Sequence, residues 1–377
     1  GVRGSRAARR GLSGTRLRAL VLFAESAENA TLSYQRGWPR ALAADPALDC
    51  ELVNVLDGRA LRRIRLATRF GRLRWDVVVL LHSTFSNGPT LPPAAVRGLA
   101  RARAPKVVFL GNEYKLMPEK LRFVEELGAG LLVSQLASEQ ALDLYRESLD
   151  CTVISIPNTG VDLDRIPPLV ARGERPVDIG YRAYDSPLYL GHRERRDIAE
   201  RVGESARRRG LVTDVSLDPA QRLDEAGWLR FLASCKGQLG TEAGGDYFEL
   251  DDSTRMAVNA YLEREPHASF EDVHARFFAS YDRPVSGRAL SGRIVEAAAT
   301  RTVQLLLRGE YGGYFRAHEH YIPLDPGLED VDAALDAFAD EELCAELVER
   351  AHAVVVDSLT YPRLVARLRT ALEALLQ

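Results

Sequence analysis

The segment SGRIVEAAATRTVQLL, residues 291–306, places a serine, a glycine, an arginine and a glutamate within its first six positions, on a helical pattern. Ser291 is a residue type that caps helices, and Gly292 leaves the first backbone amides open. Open amides and the positive end of a helix dipole attract an anion, and Arg288 and Arg293 stand alongside. Glu296, one turn in, has a carboxylate able to accept hydrogen bonds from a diol. Anion contacts and a diol clamp are together what a nucleoside diphosphate and its ribose require. The plainer alternative is a capped helix with a solvated arginine and glutamate.

Other chemistry-bearing residues stand where apolar runs end. His82 follows WDVVVLL and is read either as orienting an acceptor or a departing oxygen, or as a structural histidine. Glu113, in GNEYK, is a general base toward a hydroxyl or else an ion-pair partner of Lys115. Arg182 follows VDIGY, Glu242 precedes Gly244 and Gly245, and Gly312 and Gly313 follow TVQLLLRGEY. Tyr314 is placed to cover a base or sugar, or simply to pack. His318 and His320 share a strand face but have no third ligand nearby, so no metal is expected.

These residues need elements that bring them together. Strand-like runs occur at 19–24, 50–57, 75–83, 106–112, 130–135 and 151–158, with helical periods such as 92–104, 118–128 and 137–149 between them. After a Pro-Pro spacer the alternation resumes: strands at 175–183, 212–217, 236–245 and 302–307, helices at 193–210, 227–235 and 291–299, and three more helices to the end. Several strands are apolar on both faces, as in parallel sheets covered by helices on both sides. The expected fold class is α/β: two Rossmann-like, doubly wound domains facing across a cleft. The expected layout is a disordered basic tail at 1–17, a first domain at 18–160, a linker at 161–174, and a second domain at 175–360 with a helical insertion at 246–290. A final helix at 361–377 crosses back to the first domain.

Composition narrows the partners. The chain has 377 residues, 46% of them hydrophobic and 27% charged, which describes a folded protein. A net charge of −3 disfavours nucleic acid as the main partner. Cys50, Cys151, Cys235 and Cys344 are widely separated, fitting reduced thiols in a cytoplasmic protein rather than disulfides or a zinc site. Six arginines fall in the first eighteen residues, which lack the apolar core of a signal peptide; at most, peripheral membrane contact is expected.

The ordered motifs resemble a known group. VISIPNTGVDLDRIPP (153–168) resembles the interdomain segment I-P-N-G-V-D of GT-B glycosyltransferases similar to family 4, closest to the spore-maturation-protein-like branch, with Thr159 added. SGRIVEAAATRTVQLL resembles that group's helix–strand element E-A-x-A-x-G-x-P-V, with Arg301 in place of the glycine. GLLVSQLASEQALDLY, GNEYK, DIGYR, CKGQLGTEAGGD and HYIPLD resemble further pieces, in order, over roughly residues 18–365. The Asn-Gly break at 158–160 is then a hinge.

The resemblance implies a hexosyltransferase-like enzyme, metal-independent and retaining, that moves sugar from a nucleotide-diphosphate donor to a hydroxyl or amine of a glycan or small-molecule acceptor. It needs no cofactor beyond the nucleotide sugar (UDP, GDP or dTDP) as co-substrate. Glu296 matches the second member of the family's Glu-x7-Glu pair. The first falls on Arg288, and Glu242 is its substitute. Arg182 matches the diphosphate arginine, with Lys236 or an arginine at 193, 195 or 196 as companion. The diphosphate and ribose set is therefore Arg182, Ser291, Gly292, Arg293, Glu296, Gly312 and Gly313. Gly244, Gly245 and Tyr314 face the sugar or base. Glu242, His82 and Glu113 are the catalytic candidates, with loops 24–38, 82–90 and 112–118 presenting the acceptor. The alternatives are a nucleotide-sugar epimerase and an inactive sugar-nucleotide-binding or scaffold protein.

Overall fold

The computed structural model describes residues 16–26, 33–69, 75–282 and 285–377, so the tail expected at 1–17 lies almost wholly outside the described residues. Strands β1 (Leu17–Phe23), β2 (Leu48–Asn54), β3 (Val77–Leu80), β4 (Lys106–Phe109), β5 (Leu131–Ser134) and β6 (Thr152–Ser155) form one sheet, ordered β2-β1-β3-β4-β5-β6. Every pairing in it is parallel. β3, β4 and β5 are buried along their whole length, which is why they read as continuous apolar runs.

A second sheet holds β7 (Val177–Arg182), β8 (Thr213–Ser216), β9 (Cys235–Gly240), β12 (Val303–Leu307) and β13 (Ile322–Leu324), ordered β13-β12-β9-β7-β8 and again parallel. Both sheets reverse direction between their first and third strands. In open sheets of this kind that reversal opens a crevice at the carboxyl ends of the strands.

Between β9 and β12 lies an antiparallel ribbon, β10 (Ala243–Gly245) with β11 (Gly287–Ala289). From it project α8 (Ser253–Arg264) and α9 (Phe270–Phe277), with a small core of Tyr247, Val258, Val273 and Phe278. The stretch read as one strand ending in a glycine loop, 236–245, is thus two strands of different sheets. Gly244 adopts φ +87, and a Cβ there would collide with the Gly287 carbonyl, so glycine is what allows the ribbon to close.

On the outer face of the first sheet pack α2 (Gly58–Arg69), α3 (Pro93–Ala100), α4 (Met117–Leu127) and α5 (Glu139–Ser148). The other face is covered by α1 (Ser33–Ala44) and by the chain's last helix, α13 (Tyr361–Leu375). Residues 33–38, expected in an acceptor loop, are therefore the start of α1. A Cβ at Gly37 would fall inside the Tyr361 ring, so this glycine lets α13 settle onto α1. Trp38, fully buried, donates from Nε1 to the Asn158 carbonyl at 2.9 Å and ties α1 to the interdomain segment. There Val161 exchanges backbone hydrogen bonds with Leu359 and Tyr361.

The second sheet is flanked by α6 (Glu194–Arg208), α11 (Val331–Ala339) and α12 (Glu341–Val354) on one face, and by α7 (Glu225–Ser234) and α10 (Gly292–Ala299) on the other. Arg301, standing where the resembling group has glycine, has φ +50 just past the end of α10. The left-handed stop is kept without the glycine, and the Arg301 side chain pairs with Glu349 at 2.7 Å.

Candidate active site

The crevice of the second sheet opens where β7 and β9 end. Arg182, at the end of β7, does not reach into it. Its guanidinium donates to the Asp214 carbonyl at 2.8 Å, pairs with the Asp214 carboxylate at 2.7 Å and stacks 4.5 Å over Phe231. The expected diphosphate role thus fails for Arg182, because its charge is already neutralised on the β8–α7 side. Lys236 is likewise engaged, with Asp178 at 2.8 Å.

Among the competing arginines, Arg193 pairs with Asp197 and Glu271, and Arg196 with Asp185 and Glu200. Arg195 differs. It lies in the first turn of α6, 7% exposed, its guanidinium 4.7 Å over the Tyr184 ring, and its Nη1 has no hydrogen-bond partner among the described residues. Its neighbour is Arg293 in the first turn of α10. Burial first, and the positive charge of Arg195 second, hold the Arg293 guanidinium below its ordinary pKa. Tyr184, 46% exposed, stands among Arg195, Arg293 and Arg222; desolvation would raise its phenol, but the three cations outweigh it and leave it below its usual range. Two arginines at two helix N-termini, near each other and without a carboxylate partner among the described residues, form a charge arrangement that an anion completes.

Ser291 occupies the N-cap position of α10 with extended backbone, but its side chain makes no cap hydrogen bond. The hydroxyl nearest the helix entrance is that of Thr159, the residue added to the hinge motif: a Cβ on Gly292 would lie 2.8 Å from Thr159 Oγ1. That hydroxyl is buried and has no partner among the described residues. Glu296 is 5% exposed and accepts from Trp228 Nε1 at 2.7 Å. It lines a cavity between the domains with Gly160, Asp162, Arg165, Glu225 and Tyr361. The structure thus gathers Ser291, Gly292, Arg293 and Glu296 at one helix entrance beside the hinge.

Glu242 sits after β9, its carboxylate accepting from the Tyr311 N–H at 2.7 Å. Burial raises its pKa; the backbone N–H groups of Tyr311 and Glu310 oppose this. It anchors the turn that carries Gly312 and Gly313, both with positive φ. Gly244 and Gly245 are used up in the β10–β11 ribbon and do not line the crevice as a loop would. The Tyr314 ring packs over Gly312, and its hydroxyl is bonded by Arg367 of α13, a packing role across the domains. Arg288, at the place of the missing glutamate, is held between Glu194 and Asp246. Burial alone would raise the Glu194 carboxyl; Arg288 outweighs it and brings it down to about 2. His320 accepts from the Arg316 N–H at 2.9 Å, so one of its ring nitrogens serves its own loop.

In the first domain, His82 lies in a short 3-10 turn after β3, 2% exposed, and burial holds its imidazole down at about 4. Beside it the Ala24 N–H donates to Ser83 Oγ at 3.0 Å, spanning the reversal point between β1 and β3. Glu113 does not meet the expectation of a general base. It is 1% exposed and accepts from Tyr145 OH at 2.6 Å, Ser134 Oγ at 2.7 Å and the Gln135 N–H at 2.8 Å. Burial raises its pKa, those bonds oppose it, and no approach is left for an acceptor hydroxyl. Nearby, the buried Lys120 donates to the carbonyls of Gly111, Asn112 and Lys115. Burial, against the opposing Glu113 charge, brings Lys120 down to about 7.

Sequence reasoning missed Tyr184, Trp228 and the position of Thr159. Tyr184 follows β7 by two residues and so falls in the class of strand-end residues the reading relied on. Trp228 sits in a helix and gave no such signal.

Two parallel sheets, each with a crevice at its reversal point and joined by the segment that follows β6, define the GT-B architecture. Solved structures share it. HepE of Anabaena, in complex with UDP and glucose, aligns with a TM-score of 0.54 at 11% identity, over 95% of this chain and 100% of that one. T4 phage BGT, in complex with UDP and Mn2+, aligns at 0.50 and 10% identity, over 96% and 99%. TarM aligns at 0.50 and 11% identity, over 84% of this chain and 58% of that one. At these identities the likeness is one of fold. No family model and no curated protein sequence matches the chain.

Proposed function

We propose that the protein is a glycosyltransferase that takes a sugar from a nucleoside-diphosphate donor and passes it to a hydroxyl or amine acceptor. The observation that carries this reading is the Arg195–Arg293 pair at the entrances of α6 and α10, unpaired with any carboxylate among the described residues. In this reading the two guanidinium groups and the amides around Gly292 take the diphosphate, and preorganised positive charge stabilises it as it departs. Glu296, oriented by Trp228, accepts from the ribose hydroxyls, and the loop anchored by Glu242 lies over the sugar.

HepE, of the same fold, is described in complex with UDP and glucose, which makes UDP-glucose the first donor to test. We take the transfer to proceed with retention: the carboxylate nearest to an inverting base in the first domain, Glu113, has its oxygens engaged by three donors. The diphosphate is assigned to arginines rather than to metal ligands.

The test is a binding and turnover series with UDP, GDP, dTDP, ADP and CDP and their sugar conjugates. A ligand at about 100-fold its Kd stabilises the fold by ~2.7 kcal/mol. One nucleotide is expected to stand out, with its effect lost in Arg293→Ala and reduced in Glu296→Ala, and its sugar conjugate is expected to release free diphosphate when an acceptor is present. No stabilisation by any of them at millimolar concentration would refute the reading. A new sugar nucleotide without diphosphate release would replace it with epimerisation.

A further inference from the structure

The first domain carries one surface whose charge is unlike the rest of the chain. From Gly58 to Asn112 the sequence has eleven basic residues, of which Lys106 is buried, and one acidic residue, Asp76; elsewhere the chain has 39 basic against 52 acidic. α2 and α3 hold most of this charge and pack side by side on the outer face of the first sheet. Ile64, Val96 and Leu99 turn into the core from these helices.

Arg59 and Arg62 of α2 are exposed, as are Arg97 of α3 and Arg101 and Arg103 just beyond it. No ion pair or hydrogen bond ties any of these five guanidinium groups to another described residue. Asp57, the acid at the entrance to α2, is engaged by the Arg59 N–H at 2.9 Å. Asp76 pairs with Arg18 at 2.8 Å. Beside the first turn of α2, Leu56 is 48% exposed and Leu52 on the edge strand 39%.

An arginine surface of this kind is self-repelling, and a negatively charged surface relieves it. A nucleic acid and an anionic bilayer both supply the charge. The exposed leucines decide between them, since a bilayer interface takes up apolar side chains whereas a phosphodiester backbone gives them no partner. We propose that the α2–α3 face docks on an anionic lipid bilayer, with Arg59, Arg62, Arg97, Arg101 and Arg103 against the headgroup phosphates and Leu56 entering the interface. This goes beyond the transferase reading and does not depend on it.

The experiment is flotation of the full chain with phosphatidylcholine vesicles and with vesicles of equal parts phosphatidylcholine and phosphatidylglycerol, at low and high salt. Binding to the anionic vesicles alone, weakening with salt, is expected. The variant R59E/R62E/R97E/R101E is expected to lower the bound fraction about tenfold or more, while the matching lysine variant keeps it. Leu56→Ser is expected to weaken binding about threefold. Thermal midpoints check that the variants fold, and the pair R97E/R101E gives the same reading if the fourfold variant does not. The proposal is overturned by binding to neither vesicle, by equal binding to both, or by binding that the glutamate variants leave unchanged. It is also overturned if a duplex oligonucleotide at equal phosphate concentration displaces the protein from the vesicles.

Discussion

Asp252, in the insertion, accepts the backbone N–H of Leu116 in the first domain at 2.6 Å, and the same oxygen accepts from Arg255 Nη2 at 2.6 Å. Both residues of this bond, Asp252 and Leu116, sit at positive φ. With the Leu136–Ala289 bridge and the Tyr145–Phe248 ring contact, it fastens the insertion to the first domain. The two halves are thus joined across the cleft as well as through the hinge. Asp252→Ala leaves a half-buried N–H and a half-buried guanidinium without their acceptor, at a cost of about 1 kcal/mol. Hydrogen exchange is expected to speed up in both 111–116 and 246–262; unchanged protection in either segment would show that the bond does not hold them together.

The Arg195–Arg293 pair predicts opposite effects on stability and binding. Removing one of two neighbouring like charges relieves repulsion, so Arg293→Gln is expected to leave the ligand-free melting temperature unchanged or higher. The same change removes a charge-assisted hydrogen bond to diphosphate, worth about 1.5–3 kcal/mol, or about tenfold to hundredfold in Kd. Calorimetry with UDP reads the second effect and thermal unfolding the first. A variant that loses both stability and affinity would make Arg293 a structural residue.

Glu113→Gln separates structure from chemistry. The amide sets two donors of its own among the three that now point at the carboxylate, and about 1–3 kcal/mol of stability is expected to go. Turnover per folded molecule is expected to persist. A loss of about 100-fold or more in kcat at full folding would return Glu113 to the reaction as its base.

His82 predicts the pH dependence of stability. The unfolded imidazole titrates near 6.5 and the folded one at about 4, because burial disfavours its charged form. Between those values the unfolded chain binds a proton that the folded chain refuses, so stability falls as pH drops through the window. The effect amounts to about 2–3 kcal/mol between roughly pH 7.5 and pH 4.5. Urea unfolding of the parent and of His82→Asn at both pH values is expected to show a slope that is smaller in the variant by about this amount, the rest coming from His192 and His320, which burial also holds down.

The fold was legible because its strands are short, apolar on both faces and separated by helical periods, as with VVVL at 77–80 and LLVS at 131–134. α1 was not, since Gly37 and Pro39 interrupt its pattern and what holds it is Tyr361, distant in sequence. The site was half legible. The α10 entrance was readable because capping, helix dipole and charge are local. Arg182 and Glu113 were misjudged because being at a strand end says nothing of which way a side chain turns. Asp214 and Tyr145, the partners that turn them away from the cleft, lie about 30 positions further along the chain. Arg195 stood out from Arg193 and Arg196 only once their carboxylate partners were seen.

The return of α13 to the first sheet bears on the order in which the protein is made. Leu364, Leu368 and Leu372 share one apolar cluster with Trp38, Leu42 and Val107, so that face of the first sheet stays open until the last helix is synthesised. One face of the second sheet closes earlier, since its cluster with α6, α11 and α12 ends at Leu347, while its α10 face shares the cluster of α13. At about 5–20 residues per second, a ribosome takes on the order of ten seconds or more to go from β6 to the end of α13. Through that interval the half translated first waits with one face of its strands uncovered, the other being covered by α2, α3, α4 and α5. Nascent first-sheet strands are what a chaperone would meet on this chain.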